Sequence, residues 1–332
     1  MKAVLGFSGG VDSAVSAVLL KQQGYEVFGL YLDNTDDKTR NEAVEAAAAM
    51  GIPLKVLDVK EQLEIKVCSY FADAYLRGET PNPCIMCNPN VKFKALCDYA
   101  DEISADVVST GHYARAEKGV LYKGRPENDQ SYMLCRLRRE QLNRLYLPLG
   151  PYNKKQVREM AENFGIPAAH KPDSMEICFI PDKDYTGWLS KRTVLPPAGD
   201  FIFNGEVVGQ HEGIHRYTVG QRRSGLLNER KVYISRIIPD KNQIELALWE
   251  DLFKTEVHAA DFNWLIDKPD QPIKASVRVR HTKWETPDCT VYPDGDNVTI
   301  ICEEPVRAPA AGQSAVLYDG ERVLGGGFII QD

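Results

Sequence analysis

Short apolar runs ending in Gly-containing turns alternate with stretches of helical spacing through the first half of the chain. Ala3–Phe7 is such a run and stops at Ser-Gly-Gly, and Ser13–Gln23 has helical spacing and stops at Gly24. Glu26–Leu32 is strand-like, Asn41–Met50 is an Ala-rich helix closed by Gly51, and Pro53–Val59 reads as a third strand. Lys92–Ile103 is helical, Asp106–Thr110 is another buried strand, and Asn153–Phe164 is a helix closed by Gly165. This strand–helix alternation predicts an α/β domain, a parallel sheet with helices on both faces.

After Pro196-Pro197 the period shortens to two. Strands are expected at Phe201–Phe203, Glu206–Val208, Val232–Ile238, Gln243–Leu248, Ile273–Arg280, Asn297–Cys302, Ala315–Tyr318 and Gly327–Ile330. Turn residues recur at Asn204-Gly205, Asp240, Asp294-Gly295 and Asp319-Gly320, a pattern of small β modules or a barrel. The expected division is therefore an α/β domain over 1–196, a small β-rich domain over 197–250 and a C-terminal β-barrel over 251–332. Neither an internal repeat nor a low-complexity segment is visible.

A length of 332 residues agrees with two or three domains. With 43% hydrophobic and 26% charged residues the composition is that of an ordinary globular protein. No apolar stretch reaches about 18 residues, so no membrane span is expected. The apolar run in MKAVLGFSGG is too short for a secretory leader, so a cytoplasmic protein is expected. The net charge of −7 argues against uniform nucleic-acid binding but leaves room for local basic patches.

The sharpest chemical signal is Gly6-Phe7-Ser8-Gly9-Gly10-Val11-Asp12-Ser13, between the first strand and the first helix. Two glycines allow close backbone approach, and the helix N-terminus offers unpaired N–H groups and a favourable dipole to a phosphate. Ser8 and Ser13 add hydroxyls, and Asp12 is suited to orienting Mg²⁺ or to capping the helix. The Gly-Lys-Ser/Thr ending of a Walker loop is missing, and the GxGxxG dinucleotide pattern does not fit. A plain Gly-rich turn with a Ser/Asp cap is the structural alternative. The whole string at this junction favours phosphate, and it resembles the PP-loop of the ATP pyrophosphatase superfamily. That resemblance implies ATP with Mg²⁺ and attack of a carbonyl oxygen on the α-phosphate.

Of eight cysteines, Cys84 and Cys87 form a CxxC pair in Thr80-Pro81-Asn82-Pro83-Cys84-Ile85-Met86-Cys87-Asn88, followed by Val91-Lys92-Phe93-Lys94. In a cytosolic chain such a pair is more often metal-binding or catalytic than structural. The prolines fix an extended lead-in, and a following helix N-terminus is expected to favour the thiolate. Cys178 stands downstream in Asp173-Ser174-Met175-Glu176-Ile177-Cys178-Phe179-Ile180. Three thiolates can hold three corners of a [4Fe–4S] cluster, whereas persulfide chemistry needs only Cys87 and Cys178. Zinc would want a fourth protein ligand, and none is evident. Both sulfur routes stay open. Cys68, Cys97, Cys135, Cys289 and Cys302 sit among apolar neighbours and are expected to be buried fillers.

His112 follows a buried strand in Ser109-Thr110-Gly111-His112-Tyr113, where parallel sheets bind ligands. In Ile273–Arg280, Ile273, Ala275, Val277 and Val279 alternate with Lys274, Ser276, Arg278 and Arg280. One basic strand face is either a phosphate-tracking surface or a solvated barrel wall. Arg216, Arg222 and Arg223 form a second basic cluster in a Gly-containing loop.

The motifs PNPCxxCN, GHYAR (Gly111–Arg115), DQSYML (Asp129–Leu134), PLGPYNKKQVR (Pro148–Arg158), DSMEICFI and HRYTVGQRRSGL (His215–Leu226) follow one another along the whole chain. Their order resembles that of the MnmA/TrmU tRNA 2-thiouridylases. The resemblance implies a PP-loop domain, a small central domain and a C-terminal barrel that grips tRNA. It implies adenylation of the C2 carbonyl of a wobble uridine, then replacement of oxygen by sulfur. Cys178 matches the family's persulfide carrier and Cys87 its partner in sulfur release. Many members have Asp where this chain has Cys84, so Cys84, Cys87 and Cys178 resemble the CxxC…C set of iron–sulfur-dependent tRNA thiolases. Leu32 and Gly111 are implied in the nucleotide pocket. His112, Asp129, Gln130, Arg280, His281 and Gln313 are implied at the tRNA. The expected partners are tRNA and a sulfur donor, whether a cysteine desulfurase, a sulfur-relay protein or inorganic sulfide. An amide-forming PP-loop synthetase would leave the cysteines unexplained, and a non-catalytic RNA-binding module would leave the phosphate loop unexplained.

Overall fold

Lys2–Gly6 is the centre of a five-stranded parallel sheet because its side chains are apolar on both faces. Ala3, Leu5 and Phe7 join a core with Val11, Ala14 and Val15 of helix Val11–Gln22 and with Val157 and Ala161 of helix Lys154–Asn163. Gly6 turns to the other face, toward Leu96 of helix Phe93–Glu102. Period-two alternation of this one strand thus accounts for helices on both faces. The strand order is Leu54–Asp58, Glu26–Asp33, Lys2–Gly6, Val107–Ser109 and Leu145–Tyr146. The computed structural model describes residues 1–34, 37–170, 177–227, 230–281 and 286–331.

The chain divides into two compact units. Met1–Val67, Cys84–Pro181 and Glu321–Val323 form the first, and Cys68–Pro83, Asp182–Gly320 and Leu324–Asp332 the second. In the second unit a five-stranded sheet runs in the order Arg222–Arg223, Val232–Ile238, Gln243–Ala247, Gly199–Phe203, Glu206–His211. Its core is Phe201, Ile214, Tyr217, Val232, Ile234, Ile237, Ile244 and Leu246. The C-terminal strands close into an antiparallel barrel. Phe253–Trp264 pairs on one side with Asn297–Arg307 and on the other with Arg322–Ile329, which closes the ring.

Two barrel strands, Phe253–Trp264 and Asp288–Asp294, escape the sequence pattern. Register shifts at Lys254/Glu256 and at Ala260/Asn263 break the alternation of the first, with Asp261 at φ 48° in the second shift. The other carries Pro293 between acidic ends. The hairpin Ala114–Glu117/Val120–Lys123 is also unannounced, since both its strands are short and mixed in polarity. Cys289 and Cys302 are partners on neighbouring barrel strands and are buried, as are Cys68 and Cys135, whereas Cys97 is only half-buried.

Candidate active site

In the first unit the chain leaves Lys2–Gly6 toward Glu26–Asp33, and leaves Val107–Ser109 toward Leu145–Tyr146 on the other side. The two connections therefore part at the C-terminal ends of adjacent parallel strands, the position where such sheets form a ligand crevice. One connection is the phosphate loop. The other carries Gly111, where a Cβ would stand 2.9 Å from Asp12 Cβ and 3.1 Å from Ser13 N. Only glycine lets these two loops touch without displacement.

The loop is braced by its own hydroxyls. Ser13 Oγ donates to Gly10 O at 3.0 Å, and Ser8 N donates to Ser13 Oγ at 3.3 Å. Gly9 takes φ +75°, and a Cβ there would meet Ala43 Cα at 2.8 Å. Gly10 is the N-cap of helix Val11–Gln22 and makes no side-chain cap bond, so the first N–H groups of the helix are open to an anion. Phe7 and Val11 are buried beneath the loop, and Leu32 lies half-buried near the end of the second strand.

Asp12 carries contacts that no local sequence pattern announces. Lys154 Nζ donates to its two carboxylate oxygens at 2.7 and 2.8 Å, and Tyr113 Oη donates to Oδ1 at 2.7 Å. Gln130 pins Tyr113 from behind, its Oε1 accepting from Tyr113 N at 3.0 Å while its own N–H donates to Tyr113 O at 2.8 Å. Asp129 is buried, and its carboxylate accepts from Gly124 N, Ser131 N and Ser131 Oγ. Asp129 and Gln130 thus brace the turn that carries Tyr113.

The cysteines come together nearby in the same unit. Pro83–Cys87 is a single helical turn that runs into a π-helical turn, Asn88–Lys92, and then into helix Phe93–Glu102. Cys84 and Cys178 are exposed and Cys87 is half-buried. Asn34, just beyond the second strand, donates to Cys178 Sγ at 3.5 Å. Cys178 lies close enough to Cys84 and Cys87 to interact electrostatically with both sulfurs. The remainder of that motif, Asp173–Glu176, lies outside the described residues.

Sequence spacing predicts a thiolate favoured by a helix N-terminus; the position is as expected, but burial opposes the thiolate. Cys84 lies in the first turn of Pro83–Cys87, and Cys87 is the N-cap of the π-helical turn Asn88–Lys92. Desolvation pushes the half-buried Cys87 thiol up to about 11, although Lys92 pulls it down. Among the described residues no group of three or more Cys, His, Asp or Glu side chains is already arranged around a metal site.

His112 sits beside this centre. It stacks on Phe93 with ring centroids 6.0 Å apart, and Thr110 Oγ1 lies 2.6 Å from its Nδ1. Burial and then the charge of Lys92 push its pKa well below 6.5, so the ring is neutral at neutral pH. Lys92 therefore faces Cys84, Cys87 and His112 together.

The basic residues of the second unit divide by orientation. Arg222 and His281 are exposed. Arg223 packs over the rings of Tyr217 and Phe201 at 5.1 and 5.5 Å, and Arg278 over Tyr318 at 5.3 Å. Arg280 turns inward and donates to Val219 O and Ala308 O. Gln313 Nε2 donates to Thr80 O at 2.7 Å.

A parallel sheet with a lysine-free Gly-Gly phosphate loop at its switch point defines a nucleotide-binding domain of the PP-loop class. Comparison with known proteins carries this further. The family model described as tRNA methyl transferase HUP domain matches residues 1–182. The PRC-barrel and aminomethyltransferase beta-barrel models that accompany it match residues 191–247 and 254–329. The tRNA-specific 2-thiouridylase MnmA of Clostridioides difficile is 40% identical, across 99% of this chain and 98% of its own length. The corresponding proteins of Caldanaerobacter subterraneus and Carboxydothermus hydrogenoformans are 40% and 39% identical, each across 99% of this chain and 97% of their own. The chain belongs to the MnmA family of tRNA-specific 2-thiouridylases.

Proposed function

We propose that the protein is an ATP-dependent tRNA uridine 2-sulfurtransferase. The observation that carries this reading is the gathering, at one end of one parallel sheet, of a phosphate loop and of Cys87 and Cys178. Bound at Gly6–Ser13, ATP would present its α-phosphate to the uridine O2. The loop N–H groups and the helix dipole would then stabilise the leaving pyrophosphate. Asp12 is the loop's carboxylate and fits a Mg²⁺ that would shield phosphate charge. Neutral His112 next to Gly111 is suited to hydrogen-bond an uncharged base. A flipped uridine is required, since C2 is not reachable in a stacked strand.

Sulfur transfer is balanced with two cysteines. The terminal sulfur of a Cys178 persulfide attacks C2, and AMP leaves with the original oxygen. The Cys87 thiolate then attacks Cys178 Sγ, which breaks the S–S bond, releases 2-thiouridine and leaves a Cys87–Cys178 disulfide. An external dithiol reduces that disulfide, and a sulfur donor such as a cysteine desulfurase or a relay protein restores the persulfide. Lys92 offsets part of the desolvation of the Cys87 thiol. Of the second-unit residues expected at tRNA, Arg222 and His281 are the exposed ones and are assigned to meet it, and a cytoplasmic location fits this substrate.

Cys84 tests the route. On the two-cysteine reading, Cys84→Ala keeps most thiolation of unmodified tRNA under anaerobic conditions, with no iron in the protein. Loss of activity together with loss of bound iron would instead require a cluster.

A further inference from the structure

Lys154 belongs to none of the elements that form the phosphate loop, yet its ammonium pairs with that loop's carboxylate. The string Gly6–Ser13 contains no Lys, Arg or His. Its Asp12 adds negative charge at a place meant for a polyphosphate. Lys154 Nζ lies 2.7 and 2.8 Å from the Asp12 oxygens, across 142 residues of chain. It also lies 5.7 Å from the centroid of Tyr113, the residue whose hydroxyl shares Asp12.

Helix energetics offer no reason for a lysine here. Lys154 is the first residue of helix Lys154–Asn163, where the dipole disfavours a cation. Its backbone is fixed nonetheless. Asn153 caps the helix in a box with Gln156, and Lys154 N donates to Asn128 Oδ1 at 3.0 Å. The base of the side chain is held while four carbons carry the ammonium to the loop, with its side chain still 20% exposed. A rigid base with a mobile point charge is the arrangement that P-loop enzymes obtain from a lysine within the loop.

We propose that Lys154 is the phosphate-binding cation of this site, held on Asp12 in the free protein and moving to the β- and γ-phosphates of ATP, and to pyrophosphate after adenylation. This rests on the nucleotide site proposed above and assigns one of its contacts.

The test is titration calorimetry of the full-length protein with ATP, inorganic pyrophosphate and AMP, before and after Lys154→Met. The variant should lose affinity for ATP and for pyrophosphate by about tenfold or more while AMP affinity stays within about twofold. Equal losses for ATP and AMP, or no loss for either, would overturn the proposal and leave the ion pair a purely structural brace. A wild-type protein that binds neither ATP nor AMP would overturn the nucleotide site itself. A second measurement does not depend on the variant folding. Reductive methylation of Lys154 in the wild type should be suppressed by pyrophosphate and not by AMP, and labelling that pyrophosphate leaves unchanged also overturns the assignment.

Discussion

Desolvation and charge act in opposite directions on the Cys87 thiol, and desolvation prevails despite Lys92. The thiolate fraction at neutral pH is therefore small, and it grows about tenfold per pH unit until the pKa near 11 is approached. Alkylation of Cys87 by iodoacetamide, followed by mass spectrometry, should rise with that slope between about pH 7 and 9. A plateau below pH 8 would mean a thiol activated in the resting protein. The sequence identified Cys84, Cys87 and Cys178 as a group but not their protonation, because desolvation depends on atoms from distant segments. The same holds for Lys154, whose place in PLGPYNKKQVR gives no hint of Asp12. Lys92, too, acquires its neighbours only on folding.

The elements most legible in the sequence are those that obey a single period. Lys2–Gly6, Val11–Gln22, Glu26–Asp33 and Val232–Ile238 lie where hydrophobic spacing predicts them. Elements that break their period, such as Phe253–Trp264 with its two register shifts, do not. The phosphate loop is legible for a different reason, since its glycines report required close approach. Gly111 gives the sharpest test of that packing. Gly111→Ala puts a methyl against Asp12 and Ser13, and overpacking should cost about 1–3 kcal/mol, shared between stability and nucleotide affinity. Thermal unfolding with and without ATP measures both parts. A fully stable variant with normal ATP affinity would mean the two loops are free to separate.

Across the whole molecule, a net charge of −7 has to be reconciled with a polyanionic substrate, so only outward-facing basic groups can contribute to tRNA affinity. Alternation along Ile273–Arg278 correctly assigns Ala275 and Val277 to the barrel core, but it cannot say that Arg280, just beyond the strand, bonds to main-chain carbonyls. Arg222→Ala should flatten the salt dependence of tRNA binding by about 0.7 to 0.9 log units per lost phosphate contact. Arg280→Ala should instead lower the melting temperature and leave that slope unchanged, because its guanidinium is committed internally. Binding isotherms over a range of salt concentrations check both, and the reverse pattern would place Arg280 at the RNA.

Coupling of adenylation to sulfur delivery is what joins the phosphate loop to the cysteines, and the two steps separate by mutation. The direct measurement is pyrophosphate release and 2-thiouridine formation on unmodified tRNA, with ATP and a sulfur donor present. The wild type should yield both products, Asp12→Ala neither, and Cys178→Ala pyrophosphate without thiouridine. Thiolation that persists in Cys178→Ala, or pyrophosphate release that needs no tRNA, would contradict the account.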